Sequence, residues 1–198
     1  MTRIVATLTV LALAACGSAS KAGPKTSNPP LTPDTTAKKT PDPAEKPAVE
    51  QDGLTLKFNQ LAFRLTLTPA PWKGNLAREQ DGSTRIVLLR PDAEAVLVLI
   101  PIHAPGESAK AIADDQHAKA SKEPHITTAP VAAEARGRHA FTGDRTDDGV
   151  ASRTYLAVSP HPSIADAYIV AVAQMKVDAA DAFLAEVRAV LDSIAPHP

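Results

Sequence analysis

The amino-acid sequence predicts an α+β domain with a mainly antiparallel sheet, and three observations support that class. Short runs of alternating or continuous apolar residues, the pattern of β-strands, recur between residues 54 and 173. Two segments, 108–121 and 178–194, have the composition of helices. The order is therefore strands, helix, strands, helix, without the strand–helix alternation that is typical of parallel sheets.

The domain is expected to open with a β-hairpin. Apolar and polar residues alternate over 54–58 and again over 63–67, and Asn59 and Gln60 lie between the two runs. A third strand is predicted at 86–89.

A nearly continuous apolar run at 95–102 is typical of a central strand that is covered on both faces. Pro101 falls near its end, where a missing backbone donor is tolerated. The alanine-rich helix that follows, at 108–121, has Ser108 as its predicted N-cap. Its apolar stripe is thin and consists of Ala109, Ile112, Ala113 and Ala120.

Four further strands are predicted, and a turn signal separates two of them. Asp147, Asp148 and Gly149 form a hairpin turn signal, and His161-Pro162-Ser163 interrupts the last pair. The strands are expected at 125–131, 138–143, 152–159 and 167–173.

The last helix, 178–194, is the clearest amphipathic element. Asp178 is its predicted cap, Asp181 lies in the first turn, and Pro196 is expected to end it. One apolar stripe predicts packing on the sheet. It consists of Phe183, Val187, Val190, Leu191 and Ile194.

Three short motifs in this order carry a family resemblance. They are FRLTLTPAPW at 63–72, YIVAVA at 168–173 and LDSI at 191–194. Over residues 53–195 the chain resembles the PsbP-like fold that is shared with DcrB-type bacterial lipoproteins. The resemblance implies a PsbP-like sandwich, an antiparallel sheet with helices packed on both faces. It also implies protein binding, because most known members bind proteins and no catalytic residues define the group.

The first fifteen residues resemble a bacterial lipoprotein signal peptide. Arg3 precedes an apolar stretch at 4–13, which is too short for the ~20 residues of a membrane span. Leu13-Ala14-Ala15-Cys16 resembles a lipobox, which implies cleavage before Cys16 and lipidation of its thiol. In a familiar sorting pattern, Asp directly after the lipidated cysteine retains a lipoprotein at the inner membrane. This chain has Gly17 there, which favours localisation at the outer membrane. An ordinary secretory signal beside a chance cysteine is the alternative.

Residues 16–52 are predicted to be the lipidated cysteine and a disordered tether, followed by one domain at 53–198. Seven prolines and no aromatic residue lie within 17–52, so this tract has too little apolar surface to offset its ordering entropy. We expect a simple spacer; a stalk that contacts the cell wall is the alternative. Photosystem association is not expected, because the chain has a lipobox and no transit-like segment.

Composition excludes several classes of function. The formal net charge is −1, which argues against a nucleic-acid binder built on a basic face. The single cysteine cannot form an internal disulfide or a cysteine-rich zinc site. Motifs of serine hydrolases, zinc proteases and phosphate-binding loops are missing from the sequence. We therefore predict no catalytic residue, no cofactor and no metal.

Histidines and acidic clusters are the remaining candidates for metal binding or catalysis. His103, His125 and His139 could converge if their strands were adjacent, but dispersed histidines are the expected arrangement. The other histidines are His117, His161 and His197.

One acidic turn lacks the spacing of a calcium-binding loop, so a plain hairpin is expected there. It consists of Asp144, Asp147, Asp148 and Gly149.

Two further features have structural explanations that are preferred to functional ones. Asp114, Asp115 and His117 are expected to form a solvated helix face rather than part of a catalytic site. Trp72 is expected to be a structural lid at the sheet edge rather than a ligand platform.

The sequence thus predicts a non-catalytic envelope lipoprotein that is held on the membrane by Cys16. Its domain would bind a protein partner or support an envelope assembly, and no nucleic acid. A small-molecule or metal binding lipoprotein, with a pocket between helix and sheet, is the alternative. The domain is expected to face the periplasm or the exterior.

Overall fold

A computed structural model of the chain describes residues 49–67, 72–78, 84–90, 95–147 and 150–198. These residues form two helices, α1 (Ala109–Ala120) and α2 (Ala180–Asp192), and three short 3-10 turns at Asn59–Leu61, Ala135–Gly137 and Val177–Ala179. Their strands are β1 (Val49–Asp52), β2 (Thr55–Phe58), β3 (Phe63–Thr66), β4 (Lys73–Arg78), β5 (Thr84–Arg90), β6 (Ala95–His103), β7 (Ile126–Thr128), β8 (Ala132–Ala133), β9 (His139–Asp147), β10 (Val150–Pro160), β11 (Ala167–Lys176) and β12 (Ala195–Pro196).

The larger sheet has the strand order β4-β5-β6-β11-β10-β9-β7, and β8 also pairs with β9. Every described strand pair in both sheets is antiparallel. The apolar run at 95–102 lies in β6, an interior strand, as predicted. The sheet-dominated, antiparallel α+β class is confirmed.

The smaller sheet has the order β1-β2-β3-β12 and contains the predicted hairpin. β2 and β3 face each other with Leu56 opposite Leu65, and the Asn59–Leu61 turn joins them. Val49–Asp52, which the sequence analysis assigned to the end of the tether, forms β1 and pairs with β2. The described paired structure therefore includes Val49–Asp52, four residues that the sequence analysis placed outside the domain.

Two hydrophobic clusters form the core. The larger cluster joins both sheets to α2 through large side chains, including Leu56, Leu97, Tyr155, Phe183 and Val187. The smaller cluster lies under α1, where Ala109 and Ala113 pack with Val158, Tyr168 and Val170. The core is therefore concentrated between the two sheets and α2.

The helix at 108–121 forms as predicted. Ser108 is its N-cap, and the Ser108 Oγ accepts a hydrogen bond of 3.1 Å from the Ala111 amide. This cap satisfies one of the free amides at the helix start.

The last helix differs from the prediction at both ends. A 3-10 turn occupies Val177–Ala179, so Ala179 rather than Asp178 is the N-cap, and no side chain caps the helix. The helix ends at Asp192, because the Ser193 Oγ donates to the Val190 carbonyl at 2.6 Å and accepts from the Thr66 amide at 2.8 Å. Pro196 does not end the helix; it lies in β12, opposite Phe63.

The longest strand that the sequence analysis did not predict is β4. β4 contains Lys73, Gly74 and Asn75, residues with low strand propensity, and it forms by pairing with β5. A Cβ atom on Gly74 would lie 2.7 Å from Leu56 Cδ1, so the glycine allows the smaller sheet to approach β4 closely.

Among the residues described, neither helix has the length and apolar character needed to cross a membrane.

Candidate functional site

Two neighbouring depressions lie where β10 ends and β11 begins. The first is an open cleft of about 450 Å³ beside the start of α1. Its polar lining carries both signs of charge: Glu107 and Asp166 are acidic, and Lys110 is basic. The second depression, of about 230 Å³, lies between Arg136, Arg138 and the end of α2. Pro160 and His161 line both, so the segment that follows β10 separates them.

Residues 161–166, here called the 161–166 loop, connect β10 to β11. His161 is only 8% exposed, although most of its loop is on the surface. Its ring lies edge-on to Phe63, with the centroids 5.6 Å apart. The His161 Nε2 is 2.9 Å from the Leu61 carbonyl oxygen. This side chain therefore ties the loop to the turn between β2 and β3.

Backbone and side-chain contacts hold the rest of the loop. The His161 amide donates to the Ala167 carbonyl at 2.8 Å, and the Ala104 amide donates to the Asp166 carbonyl at 2.9 Å. The Ser163 Oγ donates to the Ala62 carbonyl at 3.0 Å. Asp166 has a φ of 55°, a left-handed conformation that Asp adopts more readily than most residues. The loop thus has a defined shape.

Ile164 is the apolar feature at the surface of the 161–166 loop. It is 46% exposed and lines the first cleft. Leu54, Leu89 and Val150 are similarly exposed, so the distinguishing feature of Ile164 is its place on an ordered loop beside a cleft.

A partly buried ionic cluster lies near the second depression. Glu134 accepts hydrogen bonds from Tyr155 Oη at 2.7 Å, Arg138 Nε at 2.7 Å and Arg188 Nη2 at 2.8 Å. Arg138 also donates to Asp192 at 3.0 Å. The cluster therefore joins the segment before β9 to β10 and to α2.

The pKa values in this cluster follow from its geometry. Burial is the largest influence on the pKa of Glu134 and raises it, but hydrogen bonds from Tyr155, Arg188 and Arg138 outweigh burial and hold that pKa below its ordinary value. Burial and then the nearby Glu134 raise the pKa of Tyr155. Glu134 is thus an ionised acceptor and Tyr155 a neutral donor. Neither group exchanges a proton near neutral pH, so both have a structural role as hydrogen-bond partners.

Trp72 packs inside the fold. It is 8% exposed, and its ring centroid lies 5.4 Å from that of Phe183 on α2. The Arg90 guanidinium lies 5.8 Å from the Trp72 ring centroid and pairs with Glu186. Trp72 therefore has the structural role that the sequence favoured, with α2 as its support.

The strands that carry His103 and His139 are not adjacent. His103 is on β6 and His139 on β9, and β11 and β10 lie between them, so these strands are about 14 Å apart at ~4.8 Å per step. The condition for convergence of His103, His125 and His139, that their strands be adjacent, is therefore not met. Within the described ranges, no group of three His, Cys, Asp or Glu residues is placed to hold a metal.

The other histidines have separate surroundings. The His117 ring lies edge-on to Phe141, with the centroids 5.1 Å apart. The His197 Nε2 is 3.0 Å from Asn59 Oδ1, at the same turn that His161 reaches.

The acidic candidates are engaged in ion pairs. Asp144 accepts two hydrogen bonds from Arg153, at 2.7 and 2.9 Å, and this contact lowers the pKa of Asp144. Asp114 pairs with Lys110 and Asp115 with Lys119, each at 2.6 Å on the exposed face of α1. Cys16 and the turn residues Asp148 and Gly149 lie outside the described residues.

Sequence reasoning predicted a break at 161–163 but missed the buried position of the His161 ring and the Glu134 cluster. The His161 ring was considered only as a metal ligand, and Glu134 was not singled out. The available signal was weak: a histidine followed by proline and serine between two strands predicts a turn, but not a buried ring. Arg138 is only four residues from Glu134, but Arg188 is 54 residues away, so a local spacing pattern does not reveal the cluster.

No protein-family model matches the sequence, and no curated protein matches it significantly. Among solved structures, the fold is similar to LpqN of Mycobacterium tuberculosis, a protein involved in cell envelope biogenesis. The identity is 14% and the TM-score 0.48, over 69% of this chain and 83% of that one. It is also similar to the cyanobacterial PsbP of Synechocystis, with 11% identity and a TM-score of 0.49, over 80% of this chain and 98% of that one. Both neighbours have PsbP-like folds, the fold that the sequence resembles, and the likeness concerns the fold alone.

Proposed function

We propose that this chain is a lipid-anchored protein of the bacterial envelope whose domain is non-catalytic and binds a protein partner. The observation that carries the partner-binding role is the ordered 161–166 loop, which holds Ile164 exposed at the edge of an open cleft. An apolar anchor with charged groups of both signs around it suits a protein surface, where a buried centre is surrounded by a polar rim.

The geometry supports a protein partner over the alternative of a small molecule. Small-molecule sites enclose most of the ligand surface, whereas this cleft, which lies between the start of α1 and the ends of β10 and β11, is open. The nearby cluster of titratable groups is already paired internally, because Glu134 forms ion pairs with Arg138 and Arg188. A non-catalytic role is consistent with this arrangement.

We also infer that α1 and α2 cover opposite faces of the larger sheet. Successive residues of a strand point to opposite faces. On β10, Tyr155 and Ala157 belong to the cluster that contains α2, whereas Val158 belongs to the cluster under α1. This alternation supports the sandwich that the family resemblance implies.

The membrane anchor in this proposal is Cys16, and Gly17 favours the outer membrane. Two or three acyl chains give stable attachment, since each buried methylene contributes ~0.8 kcal/mol and one chain alone binds only marginally. Cys16→Ser should abolish incorporation of labelled fatty acid and leave the signal peptide uncleaved by the lipoprotein-specific peptidase. Continued fatty-acid labelling of the variant would contradict the anchor.

Site-specific photocrosslinking in the native envelope tests the partner surface. A photoreactive residue at position 164 should give a discrete protein adduct. Position 150 is the matched control, because Val150 is 60% exposed and lies at the opposite end of β10, about 33 Å away at ~3.3 Å per residue. Equal adducts at both positions, or none at 164, would contradict partner binding through this loop.

A further inference from the structure

We propose that His161 is a pH-sensitive latch: its neutral ring holds the 161–166 loop against the turn at Leu61 and Ala62, and protonation of the ring releases the loop. The proposal concerns the regulation of the surface described above, and it rests on the proposed function only for its effect on a partner. The latch itself is a property of the contacts around one ring.

The contacts of His161 select one protonation state. Its Nδ1 receives hydrogen bonds from two backbone amides, Ser163 at 3.2 Å and Ile164 at 3.1 Å. An amide N–H can only donate, so Nδ1 must carry a free lone pair. On the other side of the ring, Nε2 lies 2.9 Å from the Leu61 carbonyl oxygen, which can only accept. The neutral ring with its proton on Nε2 is the form that satisfies all three contacts.

A second proton would have to bind at Nδ1. It would face two N–H donors, so both of those hydrogen bonds would be lost and like partial charges would be brought together. The charge would also be placed on a ring that is 8% exposed, whose described contacts are three backbone groups and the Phe63 ring. Protonation is therefore compatible with the open loop and not with the closed one.

The charged groups around the ring do not compensate this cost. Arg138 and Asp192 are paired with each other, and Arg136 donates to the Ile194 carbonyl at 3.2 Å. The titratable and charged residues that line the two adjoining depressions are Glu107, Lys110, Arg136, Arg138, His139 and Asp166. Asp192 bonds to Arg138, and the His197 amide bonds to the Ala62 carbonyl. The described hydrogen bonds of the ring include none of them.

The pKa of His161 follows this geometry. Burial lowers it below its ordinary value, and the hydrogen bond to the Leu61 carbonyl opposes that shift more weakly. The closed loop is therefore favoured above the ordinary histidine pKa. Its advantage falls as the pH drops from that value toward the lower pKa of the closed form, because only the open form takes up the proton in this interval.

Release of the loop is structurally feasible because few other contacts hold its centre. Ser163 Oγ bonds to the Ala62 carbonyl, and the ends of the loop are fixed by backbone bonds to Ala104 and Ala167. Ile164 lies between these attachments, next to an amide that the latch itself holds. Opening of the latch would therefore change the surface that carries Ile164.

The test uses the full lipidated chain in detergent micelles with ¹⁵N-labelled histidine. The His161 ring should show the Nε2–H form at neutral pH. Amide exchange at Ser163 and Ile164, corrected for the intrinsic effect of pH, should then increase by up to about tenfold per pH unit in the interval where only the open loop binds the proton. The Val158 amide in β10 should stay protected over the same range.

His161→Leu, which has no hydrogen-bond acceptor for the Ser163 and Ile164 amides and no titrating group, should make loop exchange fast at neutral pH and insensitive to acid. His197→Gln, which alters the same turn, should keep the wild-type response. If His161→Leu does not fold, the wild-type titration decides alone. An Nδ1–H ring at neutral pH, or amides that stay protected after the ring is protonated, would overturn the latch.

Crosslinking from position 164 separates the two proposals. A pH-independent loop that still gives an adduct would overturn the latch and leave the proposed function standing. A pH-dependent loop without an adduct would support the latch and contradict partner binding at this surface.

Discussion

The two helices have similar lengths but are attached to the sheets in different ways. In α2, the buried residues include Phe183, Leu184, Val187, Val190 and Leu191, whose large side chains enter the larger cluster. In α1, the buried residues are two alanines. The hydrophobic contribution to the free energy of folding grows with the apolar area that is buried. We therefore expect α2 to stabilise the fold more than α1 does.

The charges follow the same division. On α1, Lys110 pairs with Asp114 and Lys119 with Asp115, so both bonds stay within the helix and are exposed. On α2, charged side chains reach other elements: Glu186 pairs with Arg90, Arg188 with Glu134, and Asp192 with Arg138. The exposed Asp181 also lies 3.6 Å from Arg153. Exposed pairs within a helix contribute little to stability, whereas a pair with a buried member is costly to break.

The largest effect is expected from truncation of the apolar stripe of α2. Leu191→Ala should lower the free energy of unfolding by about 2–5 kcal/mol, because it leaves a cavity in the larger cluster. Ile112→Ala is the matched control on α1, where the side chain is only partly buried against the smaller cluster. Denaturant midpoints of the full chain carrying Cys16→Ser would compare them. Equal losses would show that α1 is as firmly packed as α2.

Removing the charge of Glu134 should have the next largest effect. Glu134→Gln weakens hydrogen bonds from two arginines and a tyrosine. A hydrogen bond to a charged group contributes roughly 1.5–3 kcal/mol to stability. The pKa of Glu134 is lowered in the folded state, so its contribution is present above the ordinary carboxyl pKa and is lost as the pH falls through the lower folded value.

Urea titrations across this acidic interval measure that effect. Wild type should lose stability there, and Glu134→Gln should have a flatter pH profile. Glu123→Gln, at an exposed position just beyond α1, is the control and should follow wild type. A wild-type pH dependence in the Glu134→Gln variant would mean that other carboxyl groups account for it.

Sequence reasoning succeeded where the pattern is local. The hairpin of β2 and β3 and the stripe of α2 follow from spacings of two and 3.6 residues. The interior position of β6 follows from its nearly continuous apolar run. It failed where a distant contact decides. The 3-10 turn before α2 displaced Asp178 from the cap, and Ser193 ends that helix by bonding to Thr66 on β3.

The candidate site could be predicted even less, because its members are brought together by the tertiary fold alone. His161 and Leu61 are 100 residues apart, and Arg188 and Glu134 are 54 apart. The sequence indicated a turn at 161–163 and a dispersed set of histidines. It gave no sign that one histidine ring would be buried with two amides on Nδ1.

A moderate, local effect is expected at the start of α1. Ser108→Ala removes the cap on the Ala111 amide and should cost about 1 kcal/mol. Because α1 is held by small side chains, much of this loss should be local fraying, visible as faster amide exchange at 109–112 with little change in β10. A global loss of protection would instead show that α1 is coupled to the whole sheet. Ser121→Ala, near the other end of α1, is a control that leaves the N-cap intact.

The smallest effect is expected at Asp181, in the first turn of α2. Its side chain is 99% exposed and lies 3.6 Å from Arg153, which is already engaged by two bonds to Asp144. Solvent and salt screen such an exposed contact, and α2 is held by its buried face. Asp181→Ala should therefore leave the denaturant midpoint almost unchanged, whereas Asp144→Ala, which removes the bidentate partner of Arg153, should lower it measurably. If Asp181→Ala is the more damaging of the two, the start of α2 depends on its first-turn charge, and the buried stripe alone does not account for the firmness of this helix.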